Sequence, residues 1–156
     1  MIRPTEPADT QSLVALAAKT DVFKPLELVA LEEVLCDYFA TNKALGHRSI
    51  SLVVEGKIQG FAYFAPAAMT DRTWYLWWIA VTTDVQTRGI GSQMIAHVEQ
   101  EIREQRGRVL LVETSSLAHY EPARKFYTKH GYAQEATLRG YYAAGDDMVV
   151  FSKQLA

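Results

Sequence analysis

The sequence is short of several features that would point to particular classes of protein. It has a single cysteine, so no disulfide can form within the chain, and we expect a reducing compartment, with the cytoplasm as the default. No apolar run approaches the ~20 residues that a membrane-spanning helix needs. The opening MIRPTEPADT lacks the basic and then apolar layout of a signal peptide. These absences predict a cytoplasmic protein that does not have a membrane as its partner.

An excess of charge of one sign is also missing. The chain has 16 basic and 18 acidic residues, for a net charge of −2, which gives no reason to expect nucleic acid as a partner. Cys36 has no evident base near it in a helical segment, so we expect it to be buried filler. Metal-ligand spacing is absent among His47, His97, His119 and His130. We therefore expect no metal site.

The composition is otherwise that of an ordinary globular protein, with 49% hydrophobic and 22% charged residues. A chain of 156 residues can bury a real core, and we predict one domain over residues 1–156. Helical and strand periodicities alternate along it in the order β-α-α-β-β-β-α-β-α-β-β. This order predicts a mixed α/β domain whose strands form one sheet.

Two glycines stand one residue apart in QTRGIGSQM, residues 86–94, after an apolar strand and before a predicted helix. The first N–H groups of a helix have no partner inside it, and the helix dipole makes that end positive, so such a segment can hold a diphosphate. A dinucleotide-binding fingerprint would need a third glycine at position 94, where the chain has Met. A tight turn is the plain alternative.

The residues around these glycines resemble a known family. The string IAVTTDVQTRGIGSQMIAHVE is similar to the central motif of the GCN5-related N-acetyltransferases, Gln/Arg-x-x-Gly-x-Gly/Ala, met here by Gln86, Gly89 and Gly91. PARKFYTKHGY resembles the second family motif, and IRPTEPADTQSLVALA resembles the first strand and helix. The resemblance covers essentially the whole chain. It implies a mostly antiparallel central sheet of about seven strands with about four flanking helices, splayed between the fourth and fifth strands.

The resemblance implies acetyl-CoA as the cosubstrate. In the family the pantetheine arm pairs with the opened edge of the strand before the glycines, where Ile79 and Val81 are the matching positions. The Ile79 amide also matches the donor to the thioester carbonyl, which would stabilise the oxyanion. The diphosphate lies on main-chain amides whose matching positions are Thr87, Arg88, Gly89, Ile90, Gly91 and Ser92.

An acid and a base are implied in the same way. Tyr127 matches the family tyrosine beside the departing sulfur, and a phenol that titrates near ~10 keeps a proton at neutral pH to give to the thiolate. The alternative is a tyrosine that only packs on the sheet. Glu113, near the end of the next strand, is the best-placed carboxylate to act as base, with a charge pair as its alternative and water as the alternative base.

One position departs from the family pattern. Many relatives have Asn seven residues before the tyrosine, where its amide contacts the cofactor, and this chain has Tyr120. The expected cofactor contact is therefore assigned to Tyr120. The side chains that could substitute for the Asn are Ser115, Ser116 and His119.

Together these residues imply an enzyme that moves an acetyl group from acetyl-CoA to a primary amine by direct attack through a tetrahedral intermediate. We favour a small or amino-acid-like acceptor, since Tyr141 and Tyr142 fall in RGYYAAGDD, a predicted loop where aromatic side chains could line a pocket. Asp146 and Asp147 could attract a cationic acceptor or simply form the turn. A protein or peptide N-acetyltransferase, a non-catalytic acyl-CoA-binding module and a phosphate-binding domain unrelated to CoA are alternatives. A homodimer is compatible with all of them.

Overall fold

The structure is a computed structural model that describes residues 1–83 and 89–156. Its elements follow the predicted order. The strands are β1 (Ile2–Pro4), β2 (Arg48–Val54), β3 (Lys57–Pro66), β4 (Thr73–Val81), β5 (Val109–Ser115), β6 (Ala133–Ala143) and β7 (Asp146–Gln154), and the helices are α1 (Thr10–Lys19), α2 (Pro25–Ala40), α3 (Ile90–Glu104) and α4 (Glu121–Lys129).

The strands form one seven-stranded sheet in the order β1-β2-β3-β4-β5-β7-β6. The β1–β2, β2–β3, β5–β7 and β6–β7 pairs are antiparallel, and β4 and β5 are parallel. Their pairing covers residues 73–76 and 109–112, although β4 continues to Val81 and β5 to Ser115. The two strands part beyond the paired segment, which confirms the predicted splay and mixed sheet.

The chain divides into two compact units, the first of which consists of Met1–Pro66 with Trp78–Val98. The core of this unit forms where the apolar faces of α1 and α2 pack on β3 and the end of β4, and the helical spacing of leucines in the sequence is the cause of this packing. The buried members of this core are Leu13, Leu16, Ala17, Leu31, Leu35, Tyr38, Phe61, Tyr63, Ala65 and Ala80.

The second unit consists of Ala67–Trp77 with Glu99–Ala156. The predicted stop of α3 at Gly107 takes the form of a tight reversal, in which the Gly107 N–H donates to the Ile102 carbonyl over 2.8 Å. A Cβ at Gly107 would lie 2.2 Å from Cγ2 of Ile102, so only glycine fits. The chain then enters β5, which is enclosed by β4 and β7.

Two expectations about individual residues are wrong. Cys36 is exposed, because Leu35 and Tyr38 take the buried face of α2 and turn Cys36 outward. Tyr141 and Tyr142 lie inside β6 rather than in a loop, since the strand runs on to Ala143.

Strand β6 is the edge of the sheet and is exposed along its whole length. Its pairing with β7 is irregular at two places, between Gln134 and Ala136 and between Leu138 and Ala143. Within residues 1–83 and 89–156, no helix has both the length and the apolar character needed to cross a membrane.

Candidate active site

The start of α3 holds the second half of the glycine segment. Gly89 precedes the helix with φ +86°, and a Cβ there would meet no atom within 4 Å. The Gln93 amide donates to the Gly89 carbonyl over 3.0 Å and closes the first turn, so the amides of residues 90–92 come before the first such bond. Ile90, Gly91 and Ser92 thus lie in the helix itself rather than in a loop. The other predicted residues of this segment, Gln86, Thr87 and Arg88, lie outside the described residues.

A second glycine fixes where α3 begins. A Cβ at Gly60 of β3 would lie 3.1 Å from Cγ2 of Ile90 and 3.3 Å from Cγ1 of Val81. Ile90 is buried. The first turn of α3 is therefore packed directly on the backbone of β3 and the end of β4, which leaves it little freedom to move.

The end of β4 directs two main-chain amides away from β3. The Thr82 amide donates to the Gln59 carbonyl over 2.8 Å, so it points towards β3. Successive N–H groups of a strand point to opposite edges, and the amides of Val81 and Ile79 therefore point to the other edge of β4. Both residues are half-buried. These are the two amides that the sequence assigned to the cosubstrate.

Tyr127 lies on the buried side of α4 and is 5% exposed. Its ring centroid is 5.7 Å from that of Phe151, 5.8 Å from that of Tyr132 and 5.5 Å from that of Phe126. Burial raises the pKa of the Tyr127 phenol above its ordinary value, so the group stays protonated at neutral pH. A protonated phenol can donate a hydrogen bond to an acceptor that reaches it.

Glu113 lies on the opposite face of the sheet from Tyr127. Val112 is paired with Phe151 across β5 and β7, and Phe151 contacts Tyr127, so this face carries the phenol. Side chains alternate along a strand, and the next residue, Glu113, is exposed on the other face. A carboxylate and a phenol thus face opposite sides of the same strand pair.

Tyr120 occupies the N-cap position of α4, with φ −93°. It is half-buried, and its ring centroid lies 4.6 Å from that of His119. Of the side chains that could replace the family Asn, Ser115 donates its hydroxyl proton to Oδ1 of Asp146, and the Ser116 hydroxyl accepts from the Asp147 amide over 2.8 Å. Both serines are therefore engaged within the protein.

Arg124 was not predicted from the sequence. Its Nη1 donates to the Ser115 carbonyl over 2.6 Å and to the Leu117 carbonyl over 2.9 Å. These bonds hold the chain between β5 and α4, which carries Tyr120, against the first turns of α4. Nothing in the sequence distinguishes Arg124 from an ordinary surface cation of an amphipathic helix.

A buried charged group was also missed. Glu99 of α3 is 5% exposed and bonds to the side chains of Tyr132 and Lys153. A signal for it was present, since Glu99 comes four residues after Ile95 and three before Ile102, on the apolar face of the helix. In the described part of the chain, no group of three or more His, Cys, Asp or Glu side chains could hold a metal ion.

Comparison with known proteins gives a consistent result. Residues 47–134 match the Acetyltransferase (GNAT) domain. A Desulfovibrio desulfuricans protein assigned to the GNAT family is similar over 100% of this chain and 99% of its own, with 30% identity and a TM-score of 0.94. No curated protein sequence matches the chain significantly.

More distant structures share the fold. The ribosomal-protein-S18-alanine N-acetyltransferase of Escherichia coli has a TM-score of 0.79 at 20% identity, covering 100% of this chain and 94% of that one. An aminoglycoside 6'-N-acetyltransferase complexed with coenzyme A has a TM-score of 0.78 at 16% identity, covering 100% and 97%.

The domain match extends over more than half of the chain, and the fold agrees with it along the full length. These findings place the protein among the acyltransferases. The chain belongs to the GNAT family of acetyltransferases.

Proposed function

We propose that this protein transfers the acetyl group of acetyl-CoA to a primary amine of a small or amino-acid-like acceptor, by direct attack through a tetrahedral intermediate. Membership of the GNAT family supports acyl transfer, and a structural relative complexed with coenzyme A supports the choice of cosubstrate. The observation that carries the proposal is Tyr127, a buried phenol whose pKa is raised by burial, so that it stays protonated.

The start of α3 fits a diphosphate. The amides of Gly89, Ile90, Gly91 and Ser92 precede or begin the helix, where the dipole is positive. The space beside Gly89 is open, so an anion can reach the backbone without a Cβ in its way. Thr87 and Arg88 complete this segment in the proposal. Gly56, in the turn between β2 and β3, is equally open, so the feature that favours a diphosphate at Gly89 is its position at the start of a helix.

Acetyl-CoA supplies, when bound, a thioester carbonyl and a sulfur leaving group. The Val81 amide and the Ile79 amide, which point away from β3, would orient it as an added strand does. The Ile79 amide would donate a hydrogen bond to the carbonyl oxygen as negative charge develops there. Preorganised main-chain donors of this kind are worth about 3 kcal/mol to the transition state.

Tyr127 would donate a hydrogen bond to the sulfur as it leaves. Its burial raises the pKa of the phenol, whereas a thiol titrates near ~8.5. The proton therefore favours the oxygen of Tyr127, and its main contribution is a hydrogen bond that strengthens as the sulfur gains charge. Tyr120, at the N-terminal end of the same helix, completes the proposed cosubstrate contacts.

Glu113 is proposed to take the proton of the acceptor amine, directly or through water. Its carboxylate is exposed on the face opposite to Tyr127. The base takes its proton from the attacking nitrogen and Tyr127 interacts with the leaving sulfur, so the two groups act on different atoms and need not contact each other.

The acceptor class rests on the aromatic residues of β6. Tyr141 and Tyr142 are 56% and 44% exposed, with ring centroids 5.0 Å apart, and exposed aromatic rings can hold a small cation. Asp147 accepts from the Gly140 amide over 2.8 Å, and Asp146 accepts from Ser115. Both carboxylates thus already accept hydrogen bonds within the protein, which favours the aromatic pair as the acceptor contact.

The proposal places the enzyme in the cytoplasm, because the free thiol of Cys36 is exposed and would be oxidised readily outside a reducing compartment. The same thiol affects the assay. A thiol reagent that measures released CoA would also titrate Cys36, so loss of the thioester absorbance is the better signal.

The test is a screen of amines, amino acids, polyamines and peptides with acetyl-CoA, combined with calorimetry. We expect acetyl-CoA to bind and a small amine to be acetylated at a rate above hydrolysis. Binding without turnover across the panel would favour a non-catalytic acyl-CoA-binding module. Acetylation of peptides alone would show that the acceptor is a peptide and not a small amine. Tighter binding of ATP or NAD than of CoA would contradict the proposal.

A further inference from the structure

We propose that the buried Glu99 and Tyr132 and the half-buried Lys153 form a clamp that positions Tyr127 for acyl transfer. This inference rests on the proposed function and adds positioning residues to it. The three side chains come from α3, from β7 and from the position directly before β6. Of the three, Tyr132 contacts Tyr127 directly. Their role does not require contact with the substrate.

The carboxylate of Glu99 is the centre of the clamp. Its Oε2 accepts a hydrogen bond from Oη of Tyr132 over 2.9 Å, and its Oε1 accepts from Nζ of Lys153 over 2.8 Å. The two oxygens therefore hold two different partners in fixed directions. Arg103 adds a weaker ionic contact, with its Nη2 3.7 Å from Oε1.

Lys153 is held from more than one side. Its Nζ also donates to the His130 carbonyl over 2.9 Å, and it lies 5.5 Å from the centroid of the Tyr132 ring, within the range of a cation–π contact. The ammonium thus ties β7 to the C-terminal end of α4 and to the face of the Tyr132 ring.

Tyr132 contacts Tyr127 through both its ring and its main chain. Its ring lies edge-on to the Tyr127 ring, with centroids 5.8 Å apart and an interplanar angle of 63°. Its amide donates to the Tyr127 carbonyl over 3.0 Å, and the ring of Phe151 lies 5.7 Å away from that of Tyr127. A displacement of Tyr132 would therefore shift both the backbone and the ring of Tyr127.

A contribution to stability does not by itself explain why Glu99, Lys153 and Tyr132 form a charged group in the interior. Ionic groups must lose their hydration when they are buried, and apolar side chains of similar size often stabilise a core equally well. Hydrogen bonds to a buried carboxylate differ from apolar contacts because they specify direction. The clamp therefore supplies an orientation for Tyr127 that an apolar core would leave less defined.

The decisive variant replaces the clamp by apolar residues, as Glu99→Leu, Lys153→Met and Tyr132→Phe together. We expect it to keep its melting temperature within a few degrees, to bind acetyl-CoA with a KM within twofold of the natural protein, and to lose about tenfold to a hundredfold in kcat. Tyr132→Phe alone keeps the ring and removes one bond, so a smaller loss in kcat is expected. The single variant preserves the test if the triple variant does not fold.

Ser51→Ala is the matched control. It removes a buried hydrogen bond of the other unit, between Oγ of Ser51 and Oγ1 of Thr5 at 2.8 Å. We expect this variant to lose stability without a change in kcat. An equal loss of kcat in the control would show that the clamp variants report general destabilisation, and it would overturn the inference.

A second readout does not need turnover. In protein labelled with 3-fluorotyrosine, the ¹⁹F signal of Tyr127 is identified by its loss in Tyr127→Phe. We expect that signal to shift or broaden in the clamp variants and to stay in place in Ser51→Ala. If the natural protein acetylates no amine, the proposed function fails while this readout still tests the clamp. An unchanged Tyr127 signal in the triple variant would overturn it.

Discussion

Replacing Gly89 with alanine separates a diphosphate site from an ordinary turn. Gly89 has φ +86°, and a Cβ at this position would meet nothing within 4 Å. The substitution therefore costs backbone strain alone, about 1–2 kcal/mol for an L-residue in this region. A domain of this kind is stable by about 5–15 kcal/mol, so the variant should remain folded.

Gly56 provides a matched control on the same terms. It has φ +76°, and a Cβ there would also meet nothing within 4 Å, but it lies in the turn between β2 and β3 and not at the start of a helix. Gly56→Ala should lose the same stability as Gly89→Ala. Their difference in ligand binding then isolates what the Cβ does at position 89.

We expect Gly89→Ala to weaken CoA binding and Gly56→Ala to leave it unchanged. A Cβ that keeps one amide out of reach of a phosphate removes a hydrogen bond to a charged group, worth about 1.5–3 kcal/mol, or about 10- to 150-fold in Kd. Calorimetric titration of each variant with CoA measures this, and thermal unfolding checks the matched stability. Equal CoA affinity in the two variants would refute the placement of the diphosphate at the start of α3.

Three further outcomes are expected. Tyr127→Phe should lower kcat by about a hundredfold or more with little change in acetyl-CoA affinity; an unchanged kcat, from thioester absorbance, would exclude the proposed hydrogen bond of Tyr127 to the leaving sulfur. Glu113→Gln should lower kcat while unfolding as the natural protein does, and an unchanged kcat would point to water as the base. Burial raises the pKa of Tyr63 and of Tyr127, so the unfolded chain loses these protons at a lower pH than the folded chain does. The stability that these two groups contribute should be constant below pH ~10 and fall above it. Urea unfolding at pH 8–11 measures this fall, which should be less steep in Tyr127→Phe.

The elements of the fold were predictable because their patterns are local. Leucines at helical spacing in α1 and α2, and a stop at Gly107, follow from the residues themselves. The error at Cys36 shows the limit of this argument. Its residue type favours burial, but its position on the helix, between Leu35 and Tyr38, decides the outcome.

The length of β6 was not predictable in the same way. Gly140 and Gly145 both read as turn residues in the sequence, yet the strand runs through Gly140 and reverses only at Gly145. The irregular pairing between Leu138 and Ala143 accommodates the extra residues. A bulge of this kind depends on the partner strand, which the sequence of β6 does not contain.

The residues of the candidate site also differ in whether the local sequence predicts them. Gly89 and Tyr127 could be assigned from motifs in the sequence, and their roles remain proposals. The clamp behind Tyr127 depends on residues from three distant segments, Glu99, Tyr132 and Lys153, whose meeting is a property of the fold. In the sequence, the one sign of this group is a charged residue, Glu99, on the apolar face of a helix.

The irregular edge of the sheet has a consequence for solutions of the protein at high concentration. An exposed outer strand can recruit strands of other molecules and seed fibrils. The pairing of β6 with β7 shifts register between Gln134 and Ala136 and between Leu138 and Ala143, and these two places carry the charged residues Glu135 and Arg139. Bulges and charged side chains on an edge strand disfavour pairing with a neighbour, so both features act against edge-to-edge aggregation of this chain.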